Sequence, residues 1–190
     1  VETASLTQMM TAYLVFDGLE SGRLKLDQTV VISDKAWRTE GSRMFVKVNS
    51  QVAVNDLLQG VIVQSGNDAS VALAEAVAGS EDAFAALMNE EAAKLGLTAT
   101  HFKNSTGLPD PEHLTSVRDL GVLSAALVAR FPQYLHYYSQ KEYTYNNIKQ
   151  PNRNRLLWLD NKVDGLKTGH TQSDGYCLVS TALRDGRRVV

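Results

Sequence analysis

Acyl transfer from an amide needs a nucleophile, a proton acceptor, a proton path to the leaving amine and stabilisation of the oxyanion. Three short motifs hold residue types suited to those roles: Ser5-Leu6-Thr7-Gln8, Ser65-Gly66-Asn67 and Lys167-Thr168-Gly169. Ser5, read in the first turn of a helix, offers a hydroxyl at the positive helix end, where developing negative charge is favoured. Gln8 lies three residues further on the same face and can reach that hydroxyl. A desolvated lysine at such a place can be neutral enough to act as a base. A carboxamide can hydrogen-bond the hydroxyl but does not take its proton at neutral pH. Ser65 suits a relay to the leaving nitrogen, and Asn67 suits binding of a substrate backbone. Lys167 and Thr168, read on a strand, would line the opposite wall across the cleft, with a positive charge and a donor for a carboxylate. Gly169 would let a substrate backbone lie close. The backbone N–H groups of Ser5 and His170 are candidates for the oxyanion hole. Each motif alone is common, and the specificity lies in their order. Ser65 lies sixty residues after Ser5, and Lys167 follows it by 102.

The elements that must position these residues follow from periodicity and turn chemistry. Met9, Met10, Tyr13, Leu14, Phe16 and Leu19 recur at helical spacing from Ser5 to about Glu20, with Gly22 beyond the end. Short β-rich runs are expected at 30–32, 44–48 and 52–54. Asn55 or Asp56 is expected to cap a buried helix, Leu57 to Val63, that leads into Ser65. Helices are predicted over 68–78 and 80–95, separated by Gly79 and closed by Gly96. Residues 98–113 read as a loop, and Ser116 and Asp119 open a helix to about Arg130. Asn146-Asn147 marks a hairpin between Tyr143-Thr144-Tyr145 and Ile148, and Asp185-Gly186 marks another. Strands are predicted over 163–167 and 176–183. The order places a helical lobe, roughly 54–140, inside a sheet lobe formed by the remainder, with a cleft between them.

Composition excludes several classes. A net charge of -2 gives no reason to expect a nucleic acid partner. No apolar run approaches the roughly 18 residues of a membrane span. Cys177 is the only cysteine, so no internal disulfide is possible, and its apolar setting reads as a small core residue. His101, His113 and His136 are scattered without metal-ligand spacing and read as surface or core residues. Tyr134, Tyr137, Tyr138, Tyr143 and Tyr145 could stack on sugars, but packing under the hairpin is the better reading. The chain starts four residues before Ser5 and stops soon after Asp185-Gly186, which reads as an incomplete piece of a longer precursor with an exposed sheet edge.

The motifs match the Ser-x-x-Lys, Ser-x-Asn and Lys-Thr-Gly triplet of penicillin-binding proteins and serine β-lactamases, with Gln8 in place of the lysine. Gln64-Ser65-Gly66-Asn67-Asp68-Ala69, Asn152-Arg153-Asn154 and Val163-Asp164-Gly165-Leu166-Lys167-Thr168-Gly169-His170-Thr171 extend the likeness. So do Ala36-Trp37-Arg38 and Ser42-Arg43-Met44-Phe45. Nearly the whole chain resembles the bacterial serine-type D-alanyl-D-alanine carboxypeptidases, the low-molecular-mass penicillin-binding proteins. The resemblance implies an α/β (α+β) fold: an antiparallel sheet flanked by helices with an inserted helical lobe, here a single incomplete catalytic domain over 1–190. It implies a Ser5 acyl-enzyme that releases terminal D-alanine from peptidoglycan pentapeptides and is acylated by β-lactam antibiotics. It further implies Ser65 and Asn67 as the second element, Lys167, Thr168 and Gly169 as the third, His170 after it, and Arg153 near the terminal carboxylate. No metal or organic cofactor is implied. The setting would be periplasmic, with inner-membrane association only through a C-terminal region absent here. A β-lactamase of class A is a rival, disfavoured because no Glu-x-x-Leu-Asn element lies between Ser65 and Lys167. Gln8 also leaves open a non-catalytic module that binds muropeptides or β-lactams.

Overall fold

A computed structural model describes residues 2–172 and 175–190. Its centre is helix α1 (Gln8–Glu20), in which Met9, Met10, Ala12, Tyr13, Val15 and Phe16 are all buried. A helix that is apolar around most of its circumference must be enclosed by others. Helices α3 (Val54–Gln64), α4 (Asn67–Ala78), α5 (Glu81–Leu95) and α6 (Val117–Arg130) pack around it. Short helices α2 (Asp34–Arg38), α7 (His136–Ser139) and α8 (Leu156–Leu159) complete the helical part.

Three antiparallel ladders accompany the helices. Strand β1 (Thr29–Val31) pairs with β2 (Gln51–Ala53), and β3 (Glu142–Tyr145) pairs with β4 (Ile148–Pro151). The third ladder orders β5 (Val163–Thr171), β6 (Gly175–Arg184) and β7 (Arg187–Val189) side by side. Asn146 and Asn147 both take positive φ, as do Asp185 and Gly186, so both predicted hairpins close through left-handed turn residues. Strand β5 packs against the segment that carries Ser5. Among the described residues no helix is long and apolar enough to cross a membrane.

Several expectations need correction. Ser5 lies in a 3₁₀ turn, Ala4–Thr7, that precedes α1, so it is not in the helix's own first turn. Residues 44–48 form no strand. The carboxylate of Asp68 accepts the backbone N–H groups of Met44 (2.9 Å), Phe45 (2.9 Å) and Val46 (3.1 Å). Those donors are then lost to a ladder, and Phe45 takes a left-handed φ of 69°. Asp68 sits in the first turn of α4, where negative charge is favoured.

Helix α3 starts at Val54 with no side-chain cap, one turn earlier than predicted. Asn55 and Asp56 are committed elsewhere: Asn55 accepts from the Tyr137 hydroxyl at 2.5 Å and Asp56 from the Tyr143 hydroxyl at 2.9 Å. The tyrosines do pack as the better reading had it. Tyr137 and Tyr138 are buried in the main core with Phe16, and Tyr134, Tyr143 and Tyr145 lie against it. Ser80 and Ser116 cap α5 and α6 through the N–H groups of Ala83 and Asp119, as predicted.

Candidate active site

Helix α3 ends at Ser65, whose φ of 64° is left-handed, and α4 begins two residues later at Asn67. A non-glycine residue in that region costs on the order of 1 kcal/mol. The bend brings the Ser65 and Asn67 side chains onto Gln8, the residue that follows the 3₁₀ turn of residues 4–7. Gly107, at φ +86°, presses the loop of residues 98–116 onto the same turn. A Cβ there would lie 1.8 Å from the Ala4 carbonyl oxygen, so only glycine fits. From the third side comes β5, where a Cβ on Gly169 would stand 3.3 Å from the Ser5 backbone nitrogen.

Four side chains join in one directed hydrogen-bond chain. Lys167 Nζ donates to Ser65 Oγ (2.9 Å), and Ser65 Oγ donates to Gln8 Oε1 (3.0 Å). Gln8 Nε2 donates to Asn67 Oδ1 (3.0 Å) and to the Thr106 carbonyl (3.1 Å). Asn67 Nδ2 then donates to the Glu40 carbonyl (2.8 Å). The direction is forced from the far end: the Thr106 carbonyl only accepts, so Gln8 Nε2 donates, Gln8 Oε1 takes the Ser65 hydrogen, and Ser65 Oγ accepts from Lys167. Gln8, Ser65, Asn67 and Lys167 are all buried, whereas Ser5 is half-exposed. Lys167 therefore does not stand apart across the cleft, as the sequence suggests, but contacts the second motif directly. Both amide hydrogens of Gln8 are taken, so the carboxamide has none left for Ser5.

Lys167 also donates to the Thr168 carbonyl at 3.0 Å. Among the described residues no carboxylate pairs with it. Burial, and secondarily the positive charge of Arg153, push its pKa from 10.5 down to about 7. At neutral pH a large share of this amine is unprotonated.

The relay opens into a cleft of about 1230 Å³ lined by Ser5, Ser65, Asn67, Arg153, Thr168 and His170. Gly169 lines it too. Arg153 is exposed, bonds the Ser42 hydroxyl and has no carboxylate partner among the described residues. The His170 ring lies 4.3 Å from that of Tyr176, which is 90% exposed. Cys177 packs against the core as expected but is only half-buried, because it also lines the same cleft. The structure thus brings together the nine residues singled out from the sequence.

Two contributors carry no motif signal. Thr106 lends only its carbonyl, which any residue would supply. His113 is buried, in contrast with the exposed His101 and His136. Its reach to the residue before Gln8 is a tertiary fact.

The profile of the D-alanyl-D-alanine carboxypeptidase family matches residues 1–190. The chain belongs to this family. It is 45% identical over 197 residues to D-alanyl-D-alanine carboxypeptidase DacC of Escherichia coli, covering 100% of this chain and 49% of that protein. Penicillin-binding protein 5 from Haemophilus influenzae superposes with a TM-score of 0.96 at 44% identity, over 99% of this chain and 56% of that one. Penicillin-binding protein D2 from Listeria monocytogenes, solved in an ampicillin-bound form, reaches 0.86 at 31% identity, over 97% and 75%. The chain spans about half the length of the curated relatives it matches. As a member of the carboxypeptidase family it retains every position of the three motifs except the one held by Gln8.

Proposed function

We propose that this chain is the acyl-transfer part of a serine-type D-alanyl-D-alanine carboxypeptidase of the bacterial cell wall, slowed by Gln8. Ser5 Oγ attacks the carbonyl carbon of the penultimate D-alanine, forming an ester as the amide C–N bond breaks. The Ser5 proton passes by way of Ser65 to the neutral Lys167 amine, which returns it through Ser65 to the departing D-alanine amine. Water then hydrolyses the ester and regenerates Ser5. Thr168 and Arg153 would hold the terminal carboxylate, and the backbone N–H groups of Ser5 and His170 would hold the oxyanion. Gly169 would let the substrate backbone lie along β5. β-Lactams would acylate Ser5 by the same attack. The setting would be periplasmic, where stem peptides occur.

The observation that carries this reading is the buried relay from Lys167 through Ser65 to Gln8, set beside a half-exposed Ser5 in one cleft. Within it only Lys167 can take up a proton near pH 7, and its hydrogen bonds go to Ser65 and Thr168. A second reading, a binder that does not turn over, draws on the same carboxamide: it offers Ser5 no base.

Intact-mass spectrometry after incubation with benzylpenicillin, on this chain and on Gln8→Lys, separates the two. A penicilloyl ester on Ser5 in the lysine form supports the enzyme with one altered position. No adduct in either form, with binding retained, supports the binder.

A further inference from the structure

Loop 98–116 grips the Ser5 turn and the start of α1 through three side chains. Gln8 reaches the Thr106 carbonyl, and Thr11 Oγ1 reaches the Ser105 carbonyl at 2.7 Å. Thr7 meets His113 Nε2 at 2.7 Å. The tautomer of His113 follows from its other nitrogen. Nδ1 lies 3.0 Å from the backbone nitrogen of Lys103 and must accept that N–H. Nε2 therefore carries the ring hydrogen and donates to Thr7 Oγ1. Thr7 in turn meets Thr3 Oγ1 at 2.5 Å, so the chain of bonds spans the turn from end to end. The ring is 2% exposed and sits edge-on to Phe102 at 5.7 Å.

We propose that His113 is a positioning residue that, through Thr7 and Thr3, holds the 3₁₀ turn in the geometry that presents Ser5 to the cleft. The proposal rests on the reading of Ser5 as nucleophile, and its test does not depend on turnover. Gly107 and β5 pack against the turn from outside, and its internal geometry is strained. Ala4 takes a positive φ of 46°, and the Leu6 N–H bonds the Thr3 carbonyl at 3.1 Å. His113 needs a neutral ring, since a proton on Nδ1 would confront the Lys103 N–H with a second donor. Burial keeps it neutral, pushing its pKa from 6.5 down to about 4, against the raising effect of Asp110 and with the lowering effect of His101. Of the nearby charges, Lys103 is paired with Glu112 at 3.1 Å. The facing turn presents Thr3 and Thr7, which do not titrate, and Glu2 opposes the neighbouring Leu114 by a backbone bridge.

Amide hydrogen exchange at Leu6, read by NMR in the chain as it stands, tests this. His113→Asn keeps an acceptor near the Lys103 N–H but cannot reach Thr7. His113→Gln can extend a donor to Thr7. Loss of one hydrogen bond corresponds to about tenfold, so Leu6 should exchange about tenfold faster in His113→Asn and in Thr7→Val. It should change less than about threefold in His113→Gln. Combining His113→Asn with Thr7→Val should be no worse than either single change. On native His113, protection should hold from pH 7 to 5 and fall as the pH passes through about 4. In the Gln8→Lys background the same variants should order the benzylpenicillin acylation rate identically.

Unchanged Leu6 exchange in His113→Asn would overturn the proposal. So would equal acceleration in the His113→Asn and His113→Gln variants accompanied by the core amide of Val61, which would make the ring structural filler. If Leu6 follows the expected order while Gln8→Lys remains unacylated, the positioning role stands and the acyl-enzyme reading fails.

Discussion

Thr7 and Gln8 are adjacent in the chain, yet their side chains enter networks of opposite character. On the cleft side, Gln8 ends a relay whose origin is a buried amine with no carboxylate partner among the described residues. On the loop side, Thr7 joins a ring and a second hydroxyl, all neutral and each hydrogen-bonded. The first arrangement keeps a group at the edge of ionisation, which lowers stability and supplies reactivity. The second satisfies its polar atoms and supplies position. One short turn is thus held by a reactive network on one side and an inert one on the other.

The sharpest way to break the contrast is at Gln8. Gln8→Lys adds a second basic group to the relay, and a general base is worth about 10²–10⁴-fold in rate. Acylation by benzylpenicillin, followed by mass, should rise by that order, while Leu6 exchange, which reports the loop side, should stay unchanged. In the native chain the residual rate should climb as pH passes through about 7 if, as proposed, the neutral form of Lys167 serves as the base. A flat profile from pH 6 to 8 would remove Lys167 from that role.

Lys167→Met should separate reactivity from stability. A lysine whose folded pKa lies below its unfolded value binds fewer protons when folded, so between about 7 and 10.5 stability rises with pH. At pH 7 that burial is a net cost, and its removal should raise the melting temperature by at least about 2–4 °C, the shift of roughly 1 kcal/mol for a chain of this size. Acylation should fall to background. A lower melting temperature would mean that the hydrogen bonds of Lys167 outweigh its desolvation.

The loop side should respond in the same sense but in a more acidic window. For His113 the folded pKa again lies below the unfolded one, so its contribution is complete above 6.5 and is lost as pH falls to about 4. That interval corresponds to a loss on the order of 3 kcal/mol, measurable by urea unfolding at pH 7 and pH 4.5. Glu81 and Asp119, both held below the usual carboxylate range by their hydrogen bonds, add losses at lower pH. His113→Gln should flatten the upper part of the profile. The smallest effect is expected from Thr11→Val, which leaves the Ser105 carbonyl one donor short, Ser70 still donating to it at 2.7 Å. It should cost about 1 kcal/mol in the same unfolding assay without changing the pH profile.

The parts of this molecule governed by neighbours in the chain were readable before any coordinates. The helical spacing of α1, the serine caps of α5 and α6, the Asn146-Asn147 and Asp185-Gly186 turns and the three motifs all depend on local geometry, and each was legible. Where a distant group competed for a local one, the reading failed. The Asp68 carboxylate took the backbone donors of 44–46 away from a strand, and two tyrosines took Asn55 and Asp56 away from capping.

The amino-acid order alone states which chemistry is present: two serines, a carboxamide where a lysine is expected, and a lysine on the third motif. That Lys167 meets Ser65 across 102 residues and that His113 meets Thr7 across 106 emerges only from the folded chain. A titratable group's ionisation and a histidine's tautomer depend on burial and on the partner each atom finds. Both are properties of packing between distant segments and have no local signature.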